Sequence, residues 1–404
     1  MNNQTKNKNL HLIYDFGLMP HVNNYKLKDD KGSVPKYPLR LMYCDDSKLL
    51  RLDSMPDREN IYRDYDHLSS ASSANAKHLE SIAENINNSE STGKIILEVG
   101  CNDATLLRGL NTNFNIFGID PASNVYRHEE KDQFKVIHEF FDKNNVLKIK
   151  NIIKKPVDII IGINVFAHND NYIEMFEAIY ELLSDDGYAH IEVAYAAETI
   201  MAGNFDTIYH EHFCNYTLTS FKNIIDPIGL KIIDAEKIST QGGSLRVKIS
   251  KKISNTGISK NVIDILDYEL EHNYTDINFY KKLSDNIDAK INQIRKLFID
   301  RNLDEEVLIV GVPARGVITA NTCDFDKLSK AIAFDDTPEK QGKLIPGTNI
   351  LINSPQEINF SKYKTACLLA WTYKENLLPR LKAYGFKGQI FIPFPSPRYE
   401  NIKD

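Results

Sequence analysis

"ILEVGCNDATLL", residues 96–107, is the stretch that decides the fold. It opens as a short, mostly apolar run, breaks at Gly100, passes through Cys101, Asn102 and Asp103, and continues with helix formers. Gly100 permits a tight turn, and Asn102 with Asp103 can cap the following helix. The unit is a strand, a polar turn and a helix start. Similar apolar runs lie at 114–120, 134–140, 157–166, 188–194, 230–238 and 244–250, with helical stretches between them, and a helix precedes the set over 75–90. Apolar strands alternating with helices predict a parallel sheet covered on both faces. Residues 258–301 have helical apolar spacing and predict a long helix or a helix pair. Alternation then resumes at 306–316, 330–336, 365–371 and 388–394, a second and smaller α/β unit. Residues 1–74, with the turn signals PHVNNY, KGSVPKYP and SMPDREN, read as mixed and loop-rich. The expected division is 1–74, 75–250 and 251–404.

Bulk properties narrow the function. A chain of 404 residues exceeds one ordinary core. With 42% hydrophobic and 26% charged residues it has the composition of a soluble globular protein, and a net charge of −6 gives no global pull toward nucleic acid or an anionic membrane. No apolar run has the length of a membrane span, and the N-terminus carries no apolar signal core. The five cysteines, Cys44, Cys101, Cys214, Cys323 and Cys367, are far apart with no CxxC, which fits a reducing cytoplasm.

The first turn also carries chemistry. "GID" (118–120) ends the next strand with Asp120, at the distance of about twenty residues where an acid can accept both ribose hydroxyls of a bound nucleoside. An NAD site would want G-x-G-x-x-G, which this loop lacks. Glu98-Val99-Gly100-Cys101-Asn102 instead resembles the acidic loop of class I S-adenosylmethionine methyltransferases. Such a loop tolerates a carboxylate because its ligand carries a sulfonium and an amine. Glu98, Gly100, Asn102 and Asp120 are therefore candidate cofactor residues. The resemblance adds Asn164 in NVFAH (164–168), where such enzymes place residues near the adenine and the methyl group.

"NFDTIYHEHFCNYT" (204–217) crowds Tyr209, His210, Glu211 and His212 together. Three readings stand. In a strand the two histidines would point one way and could chelate a metal, though no third ligand is near. The run could be a structural polar corner. Or it could be an acid/base site, since neutral imidazole is a base near neutrality and a phenol can donate to a developing oxyanion.

The chain as a whole resembles the sugar C-methyltransferases that act on nucleotide-activated deoxy-keto-sugars. The resemblance is carried by YDFGLMPHVNNY (14–25), PLRLMYC (38–44), LEVGCNDATLL (97–107), GIDPASNV (118–125), INVFAH (163–168), FDTIYHEHF (205–213), GGSLRV (242–247), KQGKLIPGT (340–348) and LLAW (368–371). It implies a class I methyltransferase domain of Rossmann-like α/β type, a small N-terminal domain and a second C-terminal α/β domain that helps hold the nucleotide sugar. It also implies that Tyr209, Glu211 and His212 line the active site. We take His212 as the base, Tyr209 as donor or relay, Glu211 as the group orienting the imidazole or a sugar hydroxyl, and His168 as a second candidate acid. Tyr65, His67, Ser69 and Ser70 match a family stretch that folds over the site, with Tyr65 a candidate substrate residue. GVPARG (311–316) lacks the glycines of a dinucleotide loop. It is read either as a plain turn or as a loop presenting Arg315 to a diphosphate, with Lys340 and Arg246 as further candidate cations.

Two departures from the family pattern stand out. Family members carry two cysteine pairs for a structural zinc. Here residues 1–13 have no cysteine, and Cys44 is followed by Asp45, Asp46 and Ser47, so no structural zinc and no other metal is expected. Ala104 stands where a glycine is usual. The expected function is S-adenosylmethionine-dependent C-methylation alpha to the ketone of a nucleotide-linked deoxy sugar. The alternatives are O- or N-methylation of another small molecule, or a non-catalytic nucleotide-sugar binder.

Overall fold

The computed structural model describes residues 9–30, 32–65 and 68–402. The segment that reads as loop-rich builds a sheet. Strands β1 (Leu10–Pro20), β3 (Lys36–Cys44) and β4 (Leu49–Leu52) pair antiparallel, and a short strand from later in the chain, β10 (Cys214–Asn215), completes the order β1-β3-β4-β10. The sequence hid β1 because its register shifts twice, between Leu12 and Tyr14 and between Asp15 and Leu18. Its buried residues Ile13, Phe16 and Met19 therefore lie three apart, which defeats the period-two signal of a strand.

The central sheet contains β5 (Ile95–Val99), β6 (Asn115–Ile119), β7 (Lys135–Ile137), β8 (Val157–Ile163), β9 (Leu183–Ala194), β11 (Leu230–Ile238) and β12 (Ser244–Lys251), in the order β11-β12-β9-β8-β5-β6-β7. Strands β5 to β9 run parallel. Every residue of β5 is buried, as a strand covered on both faces requires. The expectation of a wholly parallel sheet is corrected at one edge. There β12 is antiparallel to both β11 and β9, because the turn between β11 and β12 is too short for a crossover. Between α1 (Arg58–Tyr62) and β5 runs α2 (Ser73–Ser89), started by Ser72, whose Oγ accepts from Asn75 N at 3.4 Å. Leu79, Ile82, Ala83 and Ile86 form its apolar stripe, packed with α3 (Thr105–Gly109) over Ile96, Ile159 and Ile161.

The second α/β unit has β13 (Glu306–Val310), β14 (Lys330–Phe334), β16 (Ile352–Asn353), β17 (Thr365–Leu368), β18 (Gln389–Ile392) and β19 (Arg398–Asn401) in the order β16-β14-β13-β17-β18-β19, parallel except for β19. The predicted connector is a helix pair, Lys260–Glu271 and Ile277–Ile294. It is tied to the first sheet by Tyr14 donating to Asp288 (2.5 Å) and Tyr43 donating to the Thr275 carbonyl (2.9 Å). One more pairing joins the ends of the chain: β2 (Lys26–Leu27) lies antiparallel to β15 (Lys343–Leu344). No helix among the described residues is long and apolar enough to cross a membrane.

The central sheet places the site. Strand order runs outward in opposite directions from β5, to β6 and β7 on one side and to β8 and β9 on the other. The loops leaving β5 and β8 therefore flank a topological switch point, where open α/β sheets bind ligands.

Candidate active site

The loop after β5 is shaped by backbone before side chains. Gly100 has φ +70°, and a Cβ there would stand 2.9 Å from Val165 Cγ2, so only glycine fits. Asn102 (φ +47°) and Ala104 (φ +65°) also lie in the left-handed region. The departure at Ala104 is thus a buried methyl in a conformation that costs a non-glycine residue about 1–2 kcal/mol, which explains why glycine suits the position.

Asp120 arrives at the end of β6 and ties this loop down. Its Oδ2 accepts from Asn102 N and its Oδ1 from Ala122 N, both at 2.9 Å. Burial raises its carboxyl, against those two hydrogen bonds and nearby His138. Glu98 is buried, and its Oε2 has no hydrogen-bond partner among the described residues. Burial, then the charges of Asp120 and Asp103, push it well above the ordinary carboxylate range. Such a carboxylate is costly without a cation or donor beside it. A ligand with an amine and a sulfonium would supply the positive charge, whereas a diphosphate would meet Glu98, Asp103 and Asp120 with like charge. The residues therefore fit S-adenosylmethionine. Asn164 follows β8 with φ +55°, its N–H fixed on the Glu192 carbonyl at 2.8 Å, on the other side of the switch point. Asp120→Ala should weaken binding of S-adenosylmethionine or S-adenosylhomocysteine by on the order of 1–3 kcal/mol, since it also strands two buried N–H donors. Unchanged affinity by calorimetry would remove Asp120 from the site.

Residues 205–213 form no strand. Tyr209 to His212 make a turn, with His212 N donating to the Tyr209 carbonyl at 2.8 Å, and the side chains fan out. His210 is fully buried toward the first sheet, its Nε2 3.3 Å from the Pro38 carbonyl. His212 points elsewhere, so the chelating pair that strand geometry would give does not form. The His212 ring is fixed by Nδ1–H donating to the Thr207 carbonyl (3.1 Å), which leaves Nε2 as the acceptor for the Tyr209 hydroxyl at 2.6 Å. Burial first, then the charges of His168 and Arg315, hold this imidazole well below its usual pKa, so it is neutral at pH 7. The His168 ring lies 5.2 Å away, centroid to centroid, and stacks on Tyr62 at 5.9 Å.

Glu211 is not the group that orients the imidazole; the Thr207 carbonyl is. The Glu211 carboxylate instead gathers residues remote in sequence. Asn23 Nδ2 donates to Oε1 (2.8 Å), Tyr65 Oη donates to Oε2 (3.3 Å), and His21 Nε2 lies 3.3 Å from Oε1. Burial pushes its carboxyl up to about 7, partly offset by the bonds from Tyr65 and Asn23. His21 and Asn23 were missed from the sequence, although PHVNNY was visible as a turn. His67 lies outside the described residues. Ser69 N and Ser70 N donate to Asn102 Oδ1 (2.8 Å) and Asp103 Oδ2 (2.9 Å), so this stretch lies over the cofactor loop.

The three candidate diphosphate cations are engaged inside the protein. Arg315 gives Nε and Nη2 to the buried Asp206 at 3.2 and 3.0 Å and lies over the Trp371 ring, whose Nε1 also donates to Asp206 (2.8 Å). Lys340 donates to the Val312 carbonyl (2.9 Å) and Asp335 (3.3 Å). Arg246 bridges Glu192 and Glu236. A diphosphate would therefore have to share each of these cations with a carboxylate of the fold.

Residues 71–235 match the family model of a methyltransferase domain, and residues 239–395 that of a C-methyltransferase C-terminal domain. The C-methyltransferase NovU of Streptomyces niveus is 25% identical over 396 residues, covering 96% of this chain and 93% of its own. This chain is an S-adenosylmethionine-dependent C-methyltransferase. Its fold is the class I methyltransferase fold with a second C-terminal α/β domain. Among solved structures, the magnesium protoporphyrin IX methyltransferase of Synechocystis PCC 6803 overlays with a TM-score of 0.34 at 12% identity, over 44% of this chain and 83% of that one. The plantazolicin methyltransferase BamL gives 0.35 at 14%, over 44% and 84%.

One match corrects the cofactor expectation. Residues 4–62 of the C-methyltransferase match the family model "Putative zinc binding domain", which overturns the expectation of no structural zinc. The expectation rested on missing cysteine pairs, and the domain is recognised without them. Among the described residues no three His, Cys, Asp or Glu side chains converge as a metal site. In this segment His11 Nε2 lies 2.6 Å from Asp45 Oδ2, and Cys44, next to Asp45 in sequence, is buried. The described donors do not by themselves make up a four-ligand set.

Proposed function

We propose that this C-methyltransferase acts on the carbon alpha to the ketone of a nucleotide-activated deoxy-keto-sugar, through an enolate made by the Tyr209–His212 pair. The observation that carries the reading is the 2.6 Å bond from the Tyr209 hydroxyl to His212 Nε2, with Nδ1 anchored behind it. Methylating carbon requires a carbanion equivalent, and a ketone beside the target carbon makes its proton removable. S-adenosylmethionine, when bound, supplies an electrophilic methyl carbon, and Glu98, Gly100, Asn102, Asp120 and Asn164 are the residues that would hold it.

The pair moves the proton in two linked transfers. The substrate C–H proton passes to the phenolic oxygen of Tyr209 as the proton of Tyr209 passes to His212 Nε2. The electron pair left on carbon delocalises onto the ketone oxygen. Positive charge then sits on His212 and negative charge on the enolate, and their proximity offsets the burial that keeps the resting imidazole neutral. His168, beside His212, is the donor to the enolate oxygen. Glu211 accepts a sugar hydroxyl. The resemblance to sugar C-methyltransferases supports the substrate class, as does the relative's name for carbon as the methylated atom.

A panel of nucleotide keto-sugars with labelled cofactor, read by mass spectrometry, tests the substrate. In deuterated water, with transfer blocked by S-adenosylhomocysteine, the wild type should exchange the proton on the target carbon. Tyr209→Phe should lower exchange and transfer together, by about 10²-fold or more if the phenol is the relay. Full exchange in Tyr209→Phe with slowed transfer would instead make Tyr209 the oxyanion donor and His212 the direct base.

A further inference from the structure

We infer that Asn124 is a positioning residue for methyl transfer, because it ties the peptide of Tyr65, and through it the Glu211 carboxylate, to the cofactor side of the site. Asn124 was visible in GIDPASNV but no role was read for it. Its side chain grips one residue at two points: Oδ1 accepts from Tyr65 N at 3.1 Å, and Nδ2 donates to the Tyr65 carbonyl at 2.9 Å. Such a clamp uses the full amide and resembles one rung of a strand pair. It holds the Tyr65 backbone on both sides of Cα, and hence sets the direction of the Tyr65 ring. That ring ends on Glu211, its hydroxyl donating to Oε2 at 3.3 Å.

The other end of the clamp matters equally. Asn124 follows β6 four residues after Asp120, whose carboxylate already holds Asn102 and Ala122 by their N–H groups. A shift in the loop that receives the ribose is therefore passed by one side chain to the residue that fixes Glu211. The stretch just beyond has its own fastenings, Ser69 N to Asn102 and Ser70 N to Asp103, which do not depend on Asn124. Loss of the clamp should thus misplace Tyr65 without lifting that stretch off the cofactor loop. Glu211 keeps Asn23 on its other oxygen, so the carboxylate stays buried but loses one of its two side-chain donors. The groups facing it are His21, Asn23 and Tyr25 from the N-terminal segment, Tyr62 and Tyr65 from the stretch over the site, and Tyr209 from its own turn.

The inference rests on the reading of Glu211 as an active-site group, and the test separates the two. Asn124→Asp keeps the size and one acceptor, but removes the donor and sets an oxygen against the Tyr65 carbonyl. Asn124→Ala removes both bonds, and Tyr65→Phe removes the bond to Glu211 while leaving the clamp in place. Each should lower kcat about tenfold or more, while affinity for S-adenosylhomocysteine changes by less than about threefold. The double variant Tyr65→Phe with Asn124→Ala should be no slower than the worse single variant within about twofold, because both act through the same contact. A wild-type rate in Asn124→Asp, or losses that multiply in the double variant, would overturn the role of Asn124. Wild-type rates in both Tyr65→Phe and Glu211→Gln would remove Glu211 from the chemistry, and the inference with it.

Discussion

Replacing His212 by asparagine is expected to lower the methylation rate by about 10²–10⁴, the usual contribution of a positioned general base. Cofactor affinity should stay nearly intact. The imidazole is fixed by the Thr207 carbonyl and bonded to Tyr209, and neither contact belongs to the loop after β5. Asparagine is the informative choice because its amide can still donate to the Thr207 carbonyl and so preserve the turn, but it cannot take up a proton at neutral pH. Proton exchange at the target carbon should vanish with the rate. If His212→Asn transfers methyl at near the wild-type rate while His168→Asn is dead, the base lies after β8, and Tyr209 to His212 serve to shape the substrate site.

The second large effect is on stability. Asp206 is fully buried and holds the Arg315 guanidinium at two nitrogens and the Trp371 indole at a third. It joins the turn before Tyr209 to the start of helix Ala314–Thr322 in the second α/β unit. Asp206→Ala removes a fully buried carboxylate that Arg315 holds at two nitrogens, and should cost about 3–5 kcal/mol, read from denaturant unfolding. Activity should fall as well, because Arg315 already depresses the basicity of His212 and would do so more strongly without the opposing charge of Asp206. Adding Arg315→Met to Asp206→Ala should recover much of the stability, since apolar replacement of a buried pair is often close to neutral. A thermal and chemical stability of Asp206→Ala equal to wild type would show that water reaches the guanidinium.

Both predictions draw on contacts of very different legibility. The cofactor side was readable because its signals are local. Gly100 marks a positive-φ turn, β5 is a continuous buried run, and Asp120 closes the next strand within the same βαβ unit. The run 209–212 was readable as chemistry but not as geometry: a strand would have aligned His210 with His212, and the turn sends them apart. Strand β1 of the first sheet was invisible because two register shifts erase its alternation. The likeness of residues 4–62 to a putative zinc-binding domain family was missed because only cysteine pairs were taken as its signature.

The sequence by itself determined the alternation of strands and helices, the tight turn after β5, and the stock of acids, imidazoles and phenols. Those follow from periodicity and from φ preferences, which act over a few residues. Only the tertiary structure decided which partner each charged group takes. Asn23 reaches Glu211 across 188 residues, and Arg315 reaches Asp206 across 109. In both cases a carboxylate buried by the packing of separate units must find a donor through space, and it takes the nearest one that the fold supplies, whatever its distance along the chain.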